Sequence, residues 1–215
     1  MPTRRRPARE GAFRRGEGSW FIDHATIVDA DIAWLRDVEE LALWNVCVPP
    51  GFLGQLDKLR GLDLRGGSMT DLAVTHGVER LDYLAISHVR GLADLGAIAS
   101  LRSLRFLMLY ALASVRALPA FDELVALQRL QLGQMRALES LDPVWRAPAL
   151  RELSLSKRVP IALADVERIN THPTLRAFGW DWLDVPQREA LPIIERVTLP
   201  RTHDIRPENW SGCAP

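Results

Sequence analysis

The chain has 215 residues, sets 27 Lys and Arg against 27 Asp and Glu, and is 47% hydrophobic. That length is enough for a well-buried core, and zero net charge argues against a whole-surface field that would draw in nucleic acid or anionic membrane. No stretch reaches the roughly 18–20 apolar residues of a membrane span. Cys47 and Cys213 are too few and too far apart to staple the ends of a secreted domain, so a reducing, cytoplasmic setting is expected. Lysine occurs only at Lys58 and Lys157, an arginine bias that suits a GC-rich bacterial genome.

Residues 1–18 carry Arg4, Arg5, Arg6, Arg9, Arg14 and Arg15 against Glu10 and Glu17. Rich in Arg, Pro and Gly and poor in aliphatic residues, this segment is expected to be a disordered basic tail. No apolar run follows it, so it is a poor secretory signal. Two roles are open to it: attachment to a nucleic-acid backbone or an acidic partner, or a solubilising leader without a partner. It has one aromatic, Phe13, and no repeating basic–aromatic pattern.

Next, Trp20-x-Ile22 fits a degenerate entry strand, and Asp29 to Leu35 reads as a short helix with an acidic start. Seven copies of Leu-x-x-Leu-x-Leu then follow, with conservative replacements. They begin at Val38-Leu41-Leu43, Leu59-Leu62-Leu64 and Leu81-Leu84-Ile86 and continue at Leu104-Leu107-Leu109 and Leu127-Leu130-Leu132. The last two are Leu150-Leu153-Leu155 and Leu175-Phe178-Trp180, and the central positions advance by 21, 22, 23, 23, 23 and 25 residues. Each copy alternates with period two, as a strand does, so its leucines face one side and the residues between them the other. The returning segments place apolar residues at every third position, as in Val89, Leu92, Leu95, Ile98 and Leu101. That spacing suits 3₁₀ turns better than a long α-helix, and Pro49-Pro50 and Pro119 would break one. Ala164 to Asn170 has room for a helical turn or two. Ile194-x-x-Val197-x-Leu199 reads as a shortened exit strand, before a polar tail over 201–215 pinned at Trp210.

Over about residues 20–200 the chain resembles the leucine-rich repeat family, in particular its short-repeat class, with about eight repeats. The resemblance implies an α/β right-handed solenoid with a parallel concave β-sheet and a convex side of 3₁₀ and short helical segments. It also implies one domain over 19–200, capped by 19–37 and 184–200, because terminal repeats must cover the open ends of the core. One feature departs from the family, which usually has Asn three residues after the last Leu. Those positions hold Val46, Gly67, Val89, Leu112, Met135, Arg158 and Leu183, so the buried backbone groups of the turns need other partners.

Catalytic and metal signals are weak. The five histidines fall in different repeats or tails, with no pair at metal-ligand spacing. Asp23-His24 and His203-Asp204 put an acid beside an imidazole, but strand neighbours face opposite ways, so neither makes a dyad by spacing. Gly66-Gly67-Ser68 lacks the spacing and lysine of a phosphate loop and reads as a turn. No cofactor and no enzymatic activity are expected.

The residues between the leucines carry the functional signal. Trp44, Asp63, Arg65, Tyr83, Phe106, Met108, Tyr110, Arg129, Gln131 and Glu152 all fall at concave positions, and the chain's two tyrosines are both among them. Strands about 4.8 Å apart would join Tyr83, Phe106, Met108 and Tyr110 into one exposed patch flanked by Asp63, Arg65 and Arg129. Aromatic, Met and Arg side chains are the types enriched at interface centres. A register error would bury the set instead, and stacking among the rings along the sheet is compatible with binding. The expected function is protein recognition on the concave face, as scaffold, regulator or toxin-neutralising partner; the alternative is nucleic-acid or acidic-partner attachment through the N-terminal tail.

Overall fold

The computed structural model describes residues 5–202. In chain order its strands are β1 (Arg6–Pro7), β2 (Ala12–Gly16), β3 (Ser19–Asp23), β4 (Ala25–Thr26), β5 (Glu40–Trp44), β6 (Gly61–Arg65), β7 (Tyr83–Ser87), β8 (Phe106–Tyr110), β9 (Arg129–Gly133), β10 (Glu152–Ser156) and β11 (Ala177–Asp181). Helices α1 (Ile32–Leu35), α2 (Asp165–Thr171) and α3 (Gln187–Ile194) lie on the return segments, with 3₁₀ turns at Leu53–Gln55, Ala73–Thr75, Gly96–Ser100 and Asp142–Arg146. Nine strands form one sheet in the order β11-β10-β9-β8-β7-β6-β5-β3-β2, parallel everywhere except between β2 and β3.

The repeat sets the register. Leu41, Leu62, Leu84, Leu107, Leu130, Leu153 and Phe178 align as one cross-strand row, and Leu43, Leu64, Ile86, Leu109, Leu132, Leu155 and Trp180 as a second. Both rows face a single apolar core, where the leucines meet Leu92, Ile98, Phe121 and Val144 from the return segments. Each fully buried Leu contributes roughly 1.5–3 kcal/mol, so the array rests on many equal increments. Trp20 and Ile22 extend the same rows into β3, opposite Leu41 and Leu43.

The turns are satisfied without asparagine side chains. The residue after β3 and after each of β5 to β10 takes a positive φ: His24 (46°), Asn45 (51°), Gly66 (61°), His88 (56°), Ala111 (55°), Gln134 (50°) and Lys157 (54°). This left-handed step aims its N–H at the last carbonyl of the next strand: Asn45 to Arg65 at 2.7 Å, His88 to Tyr110 at 3.0 Å, Ala111 to Gly133 at 2.9 Å and Gln134 to Ser156 at 3.0 Å. The parallel ladder therefore gains one rung past each of these seven strands, and backbone geometry takes the place of the amide ladder.

Two expectations are corrected. Residues 6–16, within the segment expected to be disordered, are ordered. β1 pairs with β4, Ala8 is buried at 1% exposure, and β2 caps the sheet as an antiparallel edge strand. Composition misled because the segment adds to a sheet that already exists. It needs only small apolar contacts and a tight turn at Gly16-Glu17-Gly18, where Gly18 has φ 66°. Gly11 lies so close to the Asp23 carbonyl that an added Cβ would sit 2.6 Å from it. The arginines face outward, Arg9 over Trp34 at 5.6 Å and Arg15 over Phe21 at 4.6 Å.

The second correction concerns the exit strand. Ile194 closes helix α3 and residues 195–199 make a turn and a bend; one backbone bond, Phe178 N–H to Pro200 carbonyl at 2.9 Å, follows the expected path. Pro186 at the N-cap and the helix formers Gln187 to Leu191 override the leucine-like spacing. Ala190 and Ile193 are the buried residues of α3. Trp210, and with it the expected pinned tail, lies outside the described residues, as does the His203-Asp204 pair.

Candidate protein-interaction face

Strand alternation puts three cross-strand rows on the side of the sheet opposite the leucines. The first runs Glu40, Gly61, Tyr83, Phe106, Arg129, Glu152; the second Ala42, Asp63, Ala85, Met108, Gln131, Ser154; the third Trp44, Arg65, Ser87, Tyr110, Gly133, Ser156. All ten candidate residues therefore share one face. Tyr83, Ala85 and Phe106, with Met108 against them, form an apolar cluster separate from the main core, as a second face requires.

Their exposure differs from the sequence expectation. Tyr83 and Phe106 are 3% and 5% exposed, with rings stacked at 4.9 Å between centroids and 10° between planes. They form a packed spine along the sheet and are not projecting anchors. Directly opposed strand neighbours allow offset rings to cover one another. Trp44 is 48% exposed, and Met108, Tyr110, Arg65, Arg129, Gln131 and Glu152 are half-buried. These side chains are the candidates open to solvent on this face.

Tyr110 is held in place. Its hydroxyl donates to Gln134 Oε1 at 3.1 Å, Lys157 Nζ donates to the same oxygen at 3.2 Å, and His88 packs at 5.4 Å between ring centroids. Its ring rests over Gly133, where an added Cβ would come within 2.6 Å of Tyr110 Cδ2. A glycine on the third row is thus what seats the tyrosine. Trp44 similarly lies over Gly66 and meets Phe21 edge-on at 6.4 Å.

Charges on the face are paired. Arg65 donates to Asp63 Oδ2 through Nε at 2.8 Å and through Nη2, and Arg129 Nη2 donates to Glu152 Oε1 at 3.1 Å. Asp63 Oδ1 and Glu152 Oε2 are buried and have no hydrogen-bond partner among the described residues. At the N-terminal end a pocket of about 500 Å³ opens on this face, lined by Asp63, Glu40, Gly61 and Tyr83 and by Arg15 and Glu17 of the edge hairpin. Sequence reasoning missed the hairpin contribution. Its one sequence signal was the Gly16-Glu17-Gly18 turn between Ala12-Phe13 and Trp20-Phe21-Ile22.

A third correction concerns Asp23 and His24. The positive φ of His24 breaks strand alternation, and its Nδ1 lies 2.5 Å from Asp23 Oδ1. Arg6 holds the same aspartate through its backbone carbonyl at 3.1 Å and its Oδ2 at 3.4 Å. The spacing argument against this pair therefore fails at a left-handed residue. Among the described residues no group of three or more His, Cys, Asp or Glu side chains is placed to hold a metal ion.

No protein-family model matches the sequence, and no curated protein does. Solved structures do resemble it. An internalin F of Listeria monocytogenes superposes with a TM-score of 0.53 at 18% identity, over 74% of this chain and 45% of that one. A Listeria monocytogenes internalin C2 gives 0.46 at 20%, over 62% of each chain, and a leucine-rich repeat protein of Leptospira interrogans gives 0.48 at 16%, over 72% and 51%. The chain spans less than half the length of the internalin F it matches.

Proposed function

Taking the chain as a leucine-rich repeat solenoid, we propose that it is a non-catalytic recognition module whose concave face binds a protein partner. One observation carries the reading: the parallel sheet presents Trp44, Met108 and Tyr110 on a single face, with Arg65–Asp63 and Arg129–Glu152 as oriented ion pairs around them. Large rings seated over glycines have little side-chain freedom left to lose on binding, which preserves affinity. Aromatic and Arg side chains are the residue types that dominate binding energy. Tyr83 and Phe106 support this face from below and do not make first contact. A scaffolding, regulatory or toxin-neutralising role would each use such a surface.

The alternative, attachment through the N-terminal arginines, loses weight with the folding of residues 6–16. Arg6 is bonded to Asp23, and Arg9 and Arg15 lie over aromatic rings.

The test is affinity purification from the native host with the wild-type chain and with Tyr110→Ala and Trp44→Ala. The partner recovered by wild type should bind Tyr110→Ala weaker by about 2 kcal/mol or more, as expected of a hot spot. A partner that binds the double variant with unchanged affinity would remove the reading.

A further inference from the structure

Past helix α3 the chain comes onto the concave side of the sheet. Pro200 runs beside β11, where its carbonyl accepts the Phe178 N–H at 2.9 Å. Thr202 lies over Gly179, so close that a Cβ there would sit 2.3 Å from the Thr202 Oγ1. Gly179 continues the second concave row past Ser154. At Thr202 the chain therefore stands on the concave face, with residues 203–215 still to follow.

Burial in mid-array calls for a cover. The concave residues Ala42, Asp63 and Ser87 are buried, and Ala85 is 0% exposed. Stacking accounts for Tyr83 and Phe106, but neighbours on a sheet flank a short side chain without closing it from above. The apolar cluster of this face holds Tyr83, Ala85, Phe106 and Met108 and takes in no residue of the return segments. A segment crossing the face closes these positions, and residues 203–215 suit the route. β7 lies four strand spacings from β11, roughly 19 Å, while residues 203–210 extended reach about 26 Å. Arg129 on β9 and Lys157 after β10 stand along the way, and the segment carries Asp204 and Glu208 to meet them. Trp210, its one large ring, has roughly 150–250 Å² to bury.

On the reading that the concave face binds a protein, we propose that residues 203–215 are the resident occupant of that face, with Trp210 packed on Ala85 and Met108, and that a partner binds by displacing them. The segment is then an intramolecular competitor, and affinity for the partner falls with the fraction of chains whose face is open. Trp44, six strands from β11, stays exposed and gives the partner its first contact.

The first test needs no partner. A full-length Cys47→Ser chain carries a nitroxide on Cys213, the remaining cysteine, and backbone amide NMR compares the oxidised with the reduced label. Broadening should be strongest at Ala85, Ser87 and Met108 and should persist on dilution, as an intramolecular contact does. Trp210→Ala, without a label, should shift the same amides, and it should bind the partner recovered with wild type several-fold tighter. Broadening strongest at α2 or α3, broadening that fades on dilution, concave amides unmoved by Trp210→Ala, or an unchanged partner affinity in that variant overturns the proposal. Failure of the concave-face reading shows differently, as partner binding indifferent to Tyr110→Ala and Trp44→Ala, so the two failures are separable.

Discussion

Ala111 tests the left-handed ladder. Its φ of 55° lies where an L-residue with a Cβ is strained by roughly 1–2 kcal/mol. Glycine removes that strain but loses more backbone freedom on folding, about 0.5–1 kcal/mol. The 2.9 Å bond from the Ala111 N–H to the Gly133 carbonyl survives the change, so conformational energy is isolated. Ala111→Gly should therefore stabilise the chain by about 0.5–1 kcal/mol. The converse change, Gly66→Ala, meets φ 61° and places a Cβ 3.2 Å from Trp44 Cδ1 and Nε1, so it should cost about 1–2 kcal/mol. Urea unfolding followed by circular dichroism measures both, and each kcal/mol shifts the midpoint temperature by about 2–4 °C in a domain of this size. An Ala111→Gly variant less stable than wild type, or a neutral Gly66→Ala, would refute the idea that backbone conformation carries the turns.

Other consequences are equally direct. Phe106→Ala should cost about 3 kcal/mol of stability, the range for a buried aromatic, where an exposed contact residue would change it by under about 0.5; thermal denaturation decides. Gly133→Ala should push the Tyr110 ring off its seat and weaken partner binding about as much as Tyr110→Ala does, with a smaller effect on the melting temperature. Burial holds the His172 imidazole below its usual range of 6.5, and the neutral Nδ1 accepts N–H groups from Thr174 and Leu175 at 3.4 and 3.3 Å. Because the folded value is the depressed one, this stability is complete above 6.5 and falls away as pH drops through the folded value. His172→Gln should flatten that slope in urea midpoints taken between about pH 7.5 and 5; a slope identical to wild type would contradict the assignment.

The leucine period carries most of the architecture because it is a local signal repeated many times. It located strands β5 to β11, placed Trp20 and Ile22 in the entry strand, and separated the buried rows from the concave ones. Spacing of three on the return segments anticipated the 3₁₀ turns, and the room for a helical turn over Ala164 to Asn170 anticipated α2.

What only the tertiary structure decided depends on contacts between residues far apart in sequence, or on backbone torsions that leucine spacing does not encode. Residues 6–16 fold because a sheet edge formed by β3 awaits them. Asp23 meets His24 because one residue turns left-handed. Tyr83 and Phe106 were placed on the correct face by alternation, yet their burial follows from stacking 23 residues apart across β7 and β8. The pocket needs Gly61, Asp63 and a hairpin from the far end of the chain to meet. A periodic pattern determines which way each side chain points; which side chains remain within reach of a partner depends on what packs beside them.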